Sequence, residues 1–196
     1  MTMPFDATAD TPSNEALLAR FAKGDASATR LLAARLTPIV FGHAYRMLAD
    51  RAEAEDVAQE AMLRLWKIAP IWEPGRAQVT TWLYRVVANL CTDRLRKRSQ
   101  TAVVDEPPEQ SDSAPGAESR LESRDRLRAL RAALDSLPDR QRQAVVLRHL
   151  EGLQNPEIAA IMGVSTEAVE SLTARGKRAL HTALEARKEE LGFDDT

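Results

Sequence analysis

The chain has 196 residues, room for one large or two small domains, and its formal net charge of −2 announces no polyanionic partner by itself. Ala, Leu, Arg and Glu dominate, aromatic residues make up only 5 %, and β-branched runs are scarce, which together point to an all-α protein. A lone cysteine, Cys91, excludes an intrachain disulfide. No Cys/His cluster has metal-ligand spacing, no apolar run approaches a membrane span, and the N-terminus has no basic-then-apolar leader. These features predict a cytoplasmic protein with no metal or other cofactor, and Cys91 reads as a small apolar residue on a helix.

Residues 13–98 read as a run of helices. Thr11 and Pro12 make a cap and first-turn pair for a helix carrying Leu17, Leu18 and Phe21 on one face. Gly24 and Asp25 end it and start a second helix, expected to bury Leu31, Leu32 and Leu36. Thr37 and Pro38 are expected to open a third, with Ile39, Val40, Ala44, Met47 and Leu48. Asp50 and Glu53 have capping-box spacing, with Asp in the Ser/Thr role, for a fourth helix running to about Lys67. On that helix Val57, Ala61 and Leu65 form an inner stripe, while Asp56, Gln59, Glu60 and Arg64 share a polar face. Pro70, Pro74 and Gly75 mark residues 68–79 as a loop. A fifth helix then runs from Thr80 or Thr81 to about Arg98. Trp82, Val86, Leu90 and Leu95 are expected inward, and Arg85, Asn89, Asp93, Arg96 and Lys97 outward.

Charge is distributed unevenly. Residues 85–98 hold five basic side chains against one acid, Asp93, whereas residues 99–118 hold five acids (Asp105, Glu106, Glu109, Asp112, Glu118) and no Lys or Arg. The latter stretch, with Pro107, Pro108 and Pro115, lacks the apolar bulk to order itself and reads as a tether. Such a coil spans about 25 Å root-mean-square and about 65 Å fully extended.

From Ser119 to residue 187 a second helical domain is expected. Leu127, Leu130, Leu134 and Leu137 form its first stripe, and Pro138 opens a helix carrying Ala144, Val145, Leu147 and Leu150 that Gly152 ends. Residues 156–178 then read as a helix-turn-helix. Ile158, Ala159 and Met162 form an inner face, Gly163 supplies the positive φ of the turn, Val164 plugs the corner and Ser165 caps the second helix. Val169 and Leu172 point back at the first helix. The second helix presents Thr166, Glu167, Glu170, Ser171, Ala174, Arg175, Lys177 and Arg178 outward, a face suited to a phosphate-lined major groove. An ordinary helical hairpin packed in a core is the alternative reading of this stretch.

Three blocks carry a family resemblance. EAEDVAQEAMLRLW at 53–66 resembles the polymerase-binding helix of bacterial sigma factors, TWLYRVVANLCTDRLRKR at 81–98 the helix that melts and reads the −10 promoter element, and LPDRQRQAVVLRHLEG at 137–152 with the helix-turn-helix the −35-binding domain. Their order, with only a short tether between, is similar to that of extracytoplasmic-function (group IV) sigma factors. The resemblance implies sigma region 2 at 13–98, a flexible acidic linker at 99–118 and sigma region 4 at 119–187. It implies no enzyme activity, and it names core RNA polymerase (the β′ clamp coiled coil and the β flap), promoter DNA and an anti-sigma factor as partners. Whether that last partner sits in a membrane is open, and no small-molecule substrate is implied.

The resemblance assigns Asp56, Gln59, Glu60 and Arg64 to polymerase docking. It assigns Trp72, Arg76, Arg85, Asn89, Asp93, Arg96 and Lys97 to −10 DNA, with Trp72 either a stacking platform for an unstacked base or a partly buried core residue. Ser165 and the outward positions of the recognition helix are assigned to −35 DNA. One departure stands out: Glu170 and Leu172 occupy places where many relatives carry Lys or Arg. Glu170 can accept from a cytosine amino group, or be neutralised by Arg175 or Lys177. Two other readings compete: a stand-alone helix-turn-helix regulator with a helical sensor domain, and a helical enzyme. The acidic helix and the basic helix argue against the first. The second finds no nucleophile elbow, and His43, His149 and His181 are scattered.

Overall fold

The computed structural model describes residues 12–75, 77–101 and 118–186. Among them every regular element is helical: α1 (Asn14–Ala22), α2 (Ala26–Leu48), α3 (Arg51–Ile68) with a 3₁₀ turn after it (Ala69–Ile71), α4 (Val79–Thr101), α5 (Glu118–Asp135), α6 (Asp139–Val145) continued by a π-helical turn (Val146–Leu150), α7 (Asn155–Met162) and α8 (Thr166–Glu185).

The first half is a bundle of α1 to α4 whose ends are capped by identifiable side chains. Ser13, not the expected Thr11–Pro12 pair, starts α1, its Oγ accepting from Ala16 N at 3.1 Å. Asp25 starts α2 by accepting from Ser27 N at 2.8 Å and Ala28 N at 3.2 Å. Its carboxyl is held far below the usual range by the Ser27 and Arg20 side chains. Asp50 caps α3 through Glu53 N at 2.9 Å, but Glu53 does not reach back; it takes Arg98 instead. The first amide of α4, Val79 N, is satisfied by the Glu15 carboxylate at 2.9 Å, so a residue on α1 serves an end 64 positions away.

Several sequence expectations for α2 and α4 fail here, each because of where the buried stripe lies. Pro38 does not open a helix but lies inside α2. The buried stripe Ala28, Leu32, Leu36, Val40, Ala44, Met47 runs unbroken past it at three- to four-residue spacing, and that packing outweighs the proline's lost hydrogen bond. Leu31 and Ile39 sit one step off the stripe, about 100° around the helix, and are exposed at 42 % and 40 %. On α4 the inner stripe is centred on Val79, Leu83, Val87 and Leu90, one position round from the expected Trp82 and Val86, which are only half-buried. Tyr84, Ala88 and Cys91 form a second buried strip on α4, because that helix is covered on two sides.

The second half packs α5, α6 and α7 around α8. Leu134, Leu137, Ala144, Val145 and Leu147 are buried as expected, while Leu127, midway along α5, and Leu150, at the end of the π-helical turn, are exposed. Glu118 begins α5 rather than ending a tether. Residues 102–117, which hold the remainder of the expected linker and four of its acids, lie outside the described residues. The two halves are in contact: Leu134, Leu137, Val145 and Val146 join the first half's buried cluster, and Tyr84 of α4 enters that of Leu147, Ile158, Ile161 and Val169.

Candidate nucleic-acid interface

The helix-turn-helix is built as its residues require. Ile158 and Val169 are fully buried against one another's helices, joined by Ile161, which the sequence reading missed, with Ala159, Met162 and Leu172 only half-buried. Gly163 adopts φ +64 between α7 and α8, and Ser165 Oγ accepts from Ala168 N at 3.2 Å. These caps fix the angle at which α8 leaves the turn. Its outward side chains Glu167, Glu170, Ser171, Ala174, Arg175, Lys177 and Arg178 are exposed, as is Ser165; Thr166 is half-buried. Glu170 is not paired with Arg175, which donates to its own i−4 neighbour, to Ser171 O at 3.3 Å and Ser171 Oγ at 3.0 Å. Asn155 Nδ2 donates to Glu170 at 3.4 Å instead. Glu167, at the positive end of α8, is held below the ordinary carboxyl value by its own backbone N–H and by Ser165.

On α4, Arg85, Asn89, Asp93, Arg96 and Lys97 all face solvent, and Arg96 pairs with Asp93 at 2.9 Å. Arg98 belongs to the fold rather than to this face: it donates to Leu48 O at 3.1 Å and pairs with Glu53 at 3.0 Å and Asp50 at 3.3 Å. Trp72 is half-buried edge-on to Trp82, ring centres 6.1 Å apart, and its buried Nε1 has no partner among the described residues. That geometry gives it a core contact; Arg76 lies outside the described residues.

On α3, Val57, Ala61 and Leu65 are fully buried, which turns Asp56, Gln59, Glu60 and Arg64 outward together. Glu60 and Arg64 form an ion pair at 2.9 Å. Beside this face runs an apolar groove of about 490 Å³ between α2 and α3, lined by Thr37, Phe41, Gln59, Met62, Leu63 and Trp66, with Leu63 48 % exposed. The sequence reading missed the groove. Leu63 lying off the inner stripe of α3 was the available signal.

Cys91 is fully buried and its thiol is pushed up to about 12, chiefly by desolvation. It is therefore expected to stay unmodified by a thiol-specific disulfide reagent in the native chain over hours and to react at once in denaturant; prompt native labelling would contradict this placement.

A polar cluster unforeseen in the sequence joins the halves. Glu151, at the end of the π-helical turn, accepts from Arg46 Nη1 at 2.8 Å and from the Tyr84 hydroxyl at 3.2 Å. His43 Nδ1 lies 3.4 Å from Glu151, and neither nitrogen of its fully buried ring has a hydrogen-bond partner among the described residues. Burial alone would raise the Glu151 carboxyl, but His43, Arg46 and Tyr84 outweigh it and hold it below its ordinary value. Burial, then the adjacent carboxylate, keeps the Tyr84 hydroxyl protonated far above its usual value. Arg142, 5 % exposed, donates to Met47 O at 3.0 Å and Asp135 O at 2.7 Å, and the Arg131 guanidinium lies 4.6 Å over the Tyr45 ring.

Comparison with known proteins fits this frame. Residues 32–101 match the model for Sigma-70 region 2 and residues 127–180 that for Sigma-70, region 4, which places the chain in the class of two-region sigma-70 proteins. It is 37 % identical over 149 residues to the ECF RNA polymerase sigma factor SigE of Mycolicibacterium smegmatis, covering 74 % of this chain and 57 % of that one. It is 31 % identical to the ECF RNA polymerase sigma factor SigW of Bacillus subtilis, covering 71 % and 80 %. The chain belongs to the extracytoplasmic-function branch of the sigma-70 family. It spans just over half the length of SigE. The fold is that of the sigma factor RpoE of Bartonella quintana, solved with the anti-sigma factor NepR, at a TM-score of 0.64 and 22 % identity over 80 % of this chain and 96 % of that one.

Proposed function

We propose that the chain is a promoter-specificity subunit that binds core RNA polymerase, reads −35 DNA through α8 and −10 DNA through α4, and performs no chemistry itself. The observation that carries this is the joint exposure of three polar helix faces, on α3, α4 and α8, each turned outward by a buried stripe on its opposite side. The acidic and amide side chains of α3 suit a basic partner and speed encounter at low salt. Mixed basic and amide groups on α4 suit backbone tracking and base-edge contacts on partly opened DNA. The groove beside α3 suits an amphipathic partner helix, either on the polymerase or on an anti-sigma protein of the kind seen with RpoE.

The deciding experiment mixes the purified chain with core polymerase and a supercoiled promoter library and maps transcript 5′ ends. Core-dependent start sites are expected. A stand-alone regulator would bind duplex DNA by itself and give none. The free chain is expected to bind promoter duplex no better than the micromolar, salt-sensitive range of non-specific complexes, about 10⁻⁴ to 10⁻⁶ M. Fluorescence anisotropy checks this, and a salt-resistant nanomolar complex of the free chain would overturn it.

A further inference from the structure

We propose that Glu170 sets a base preference in the −35 contact: its carboxylate, held by Asn155 of the preceding helix, accepts from the exocyclic amino group of a cytosine in the major groove. The inference rests on the proposed reading of −35 DNA by α8 and adds to it which base one position of that helix selects.

The outward side of α8 carries two carboxylates, and they are not equivalent. Glu167 is committed to the helix start, where its own backbone N–H and Ser165 hold it. Glu170 lies almost one turn further on and is exposed. The first basic residue after it, Arg175, is turned away to Ser171 O at 3.3 Å and Ser171 Oγ at 3.0 Å. Glu170 is held instead by a neutral donor, Asn155 Nδ2 on the first residue of α7, at 3.4 Å. A neutral donor leaves the full negative charge in place and gives a long side chain one preferred direction. Ala174, one turn along on the same side, ends at a methyl, so no longer side chain there props the helix away from a base edge.

A carboxylate is costly in a groove walled by phosphates, and it is tolerated there where it meets a donor. In the major groove cytosine offers its N4 amino group alone. Adenine sets its N6 amino group beside the N7 acceptor, while guanine N7 and O6 and thymine O4 are acceptors that repel a carboxylate. Glu170 therefore has one favourable base, a cytosine on whichever strand faces it, and a penalty against guanine and thymine. Asn155 is a positioning residue: by fixing the carboxylate beforehand it removes rotamer freedom that would otherwise be lost on binding.

The test combines the full chain with core polymerase on a promoter found by mapping transcript 5′ ends, randomises its −35 region, and sequences the transcripts to give a base preference at each position. For the parent, one position is expected to favour cytosine about tenfold over guanine or thymine. Glu170→Gln should move the preference at that position to adenine, whose N6 and N7 suit a carboxamide. Glu170→Arg should move it to guanine, whose O6 and N7 suit a guanidinium. All other positions should keep the parental preferences. Both replacements are good helix formers at an exposed position, so α8 is retained. The attraction of arginine for phosphate raises all sequences alike and cannot mimic a change of base. Asn155→Asp removes the donor and adds a like charge, yet suits the first turn of a helix; it should lower the cytosine preference about threefold or more and leave the other positions unchanged. Preferences that superimpose for the parent, Glu170→Gln and Glu170→Arg would make the carboxylate only a tie between α7 and α8 and overturn the proposal, as would a loss spread evenly over all positions. An unmoved preference in Asn155→Asp would overturn the positioning role of Asn155. A parent that starts no transcripts with core polymerase fails at the proposed function and takes this inference with it, whereas a parent that starts them with no cytosine-selecting position fails here alone.

Discussion

Reversing both acids of the outer α3 face, Asp56→Lys with Glu60→Lys, is expected to weaken binding to core polymerase by about 30-fold or more at low salt, and by less as salt is raised. Charge reversal opposite a basic partner adds repulsion where there was attraction, an effect of about 2 kcal/mol or more for two residues near the centre of a contact. The cost to the fold is far smaller. Both side chains are exposed, and Val57, Ala61 and Leu65 hold the helix from the other side. Lys at position 60 would face Arg64 at i, i+4, which costs only about 0.2–0.5 kcal/mol. A thermal melt should therefore move by only a few degrees while surface-immobilised polymerase loses the chain. An unchanged dissociation constant across 50–300 mM salt (about a 2.4-fold change in screening length) would remove α3 from the docking surface.

Much of what depended on local pattern was legible in the sequence. Gly163 and Ser165 read as turn and cap because positive φ and a capping hydroxyl are demands of the chain itself, and helical spacing places Val57, Ala61 and Leu65. The errors arose where a helix meets two neighbours at once. Tyr84 is buried because it enters the second half's cluster, and no periodicity in residues 79–101 announces that second cover of α4. Pro38 misled for a related reason: its local signal says stop, but the buried stripe of α2 extends on both sides of it. The seam residues were invisible for a stronger reason. Glu151 and Arg46 are 105 positions apart, Arg142 and the Met47 carbonyl are 95 apart, and each of the three charged side chains reads alone as a solvated surface charge. The same limit held on α8, where Glu170 found Asn155 on the preceding helix rather than a basic neighbour on its own.

That docked arrangement also bears on promoter geometry. The two elements that sigma factors of this layout are expected to read lie nearly two duplex turns apart, about 60 Å. Helices in direct contact lie about 8–10 Å apart, and α7 touches α4 in this structure. On the proposed assignment of α4 and α8 to those elements, the halves as docked here hold the two faces closer together than the elements are.

Gly176 is where the second half is most sensitive to a single atom. It lies buried in the middle of α8, and a Cβ there would stand 2.6 Å from Val145 Cγ2 and 3.3 Å from Gln141 O, so the glycine sets how closely α6 crosses α8. Two effects oppose each other in Gly176→Ala. Helix propensity favours alanine by about 1 kcal/mol, whereas forcing a methyl into a packed contact costs about 1–3 kcal/mol. The Val145 side chain can turn aside, but the Gln141 carbonyl belongs to the α6 backbone and yields only if that helix moves. The steric cost is therefore expected to win, with a net loss of about 1 kcal/mol for Gly176→Ala and about 3 kcal/mol or more for Gly176→Leu, enough to unfold the second half in part at growth temperature. Removing the obstructing side chain should reverse the sign of the interaction: Gly176→Ala with Val145→Ala should be more stable than the sum of the single changes by about 1 kcal/mol. Urea unfolding of the four chains measures this coupling. If Gly176→Ala alone raises the midpoint, propensity has outweighed contact, and the close crossing of α6 and α8 is not what positions α8.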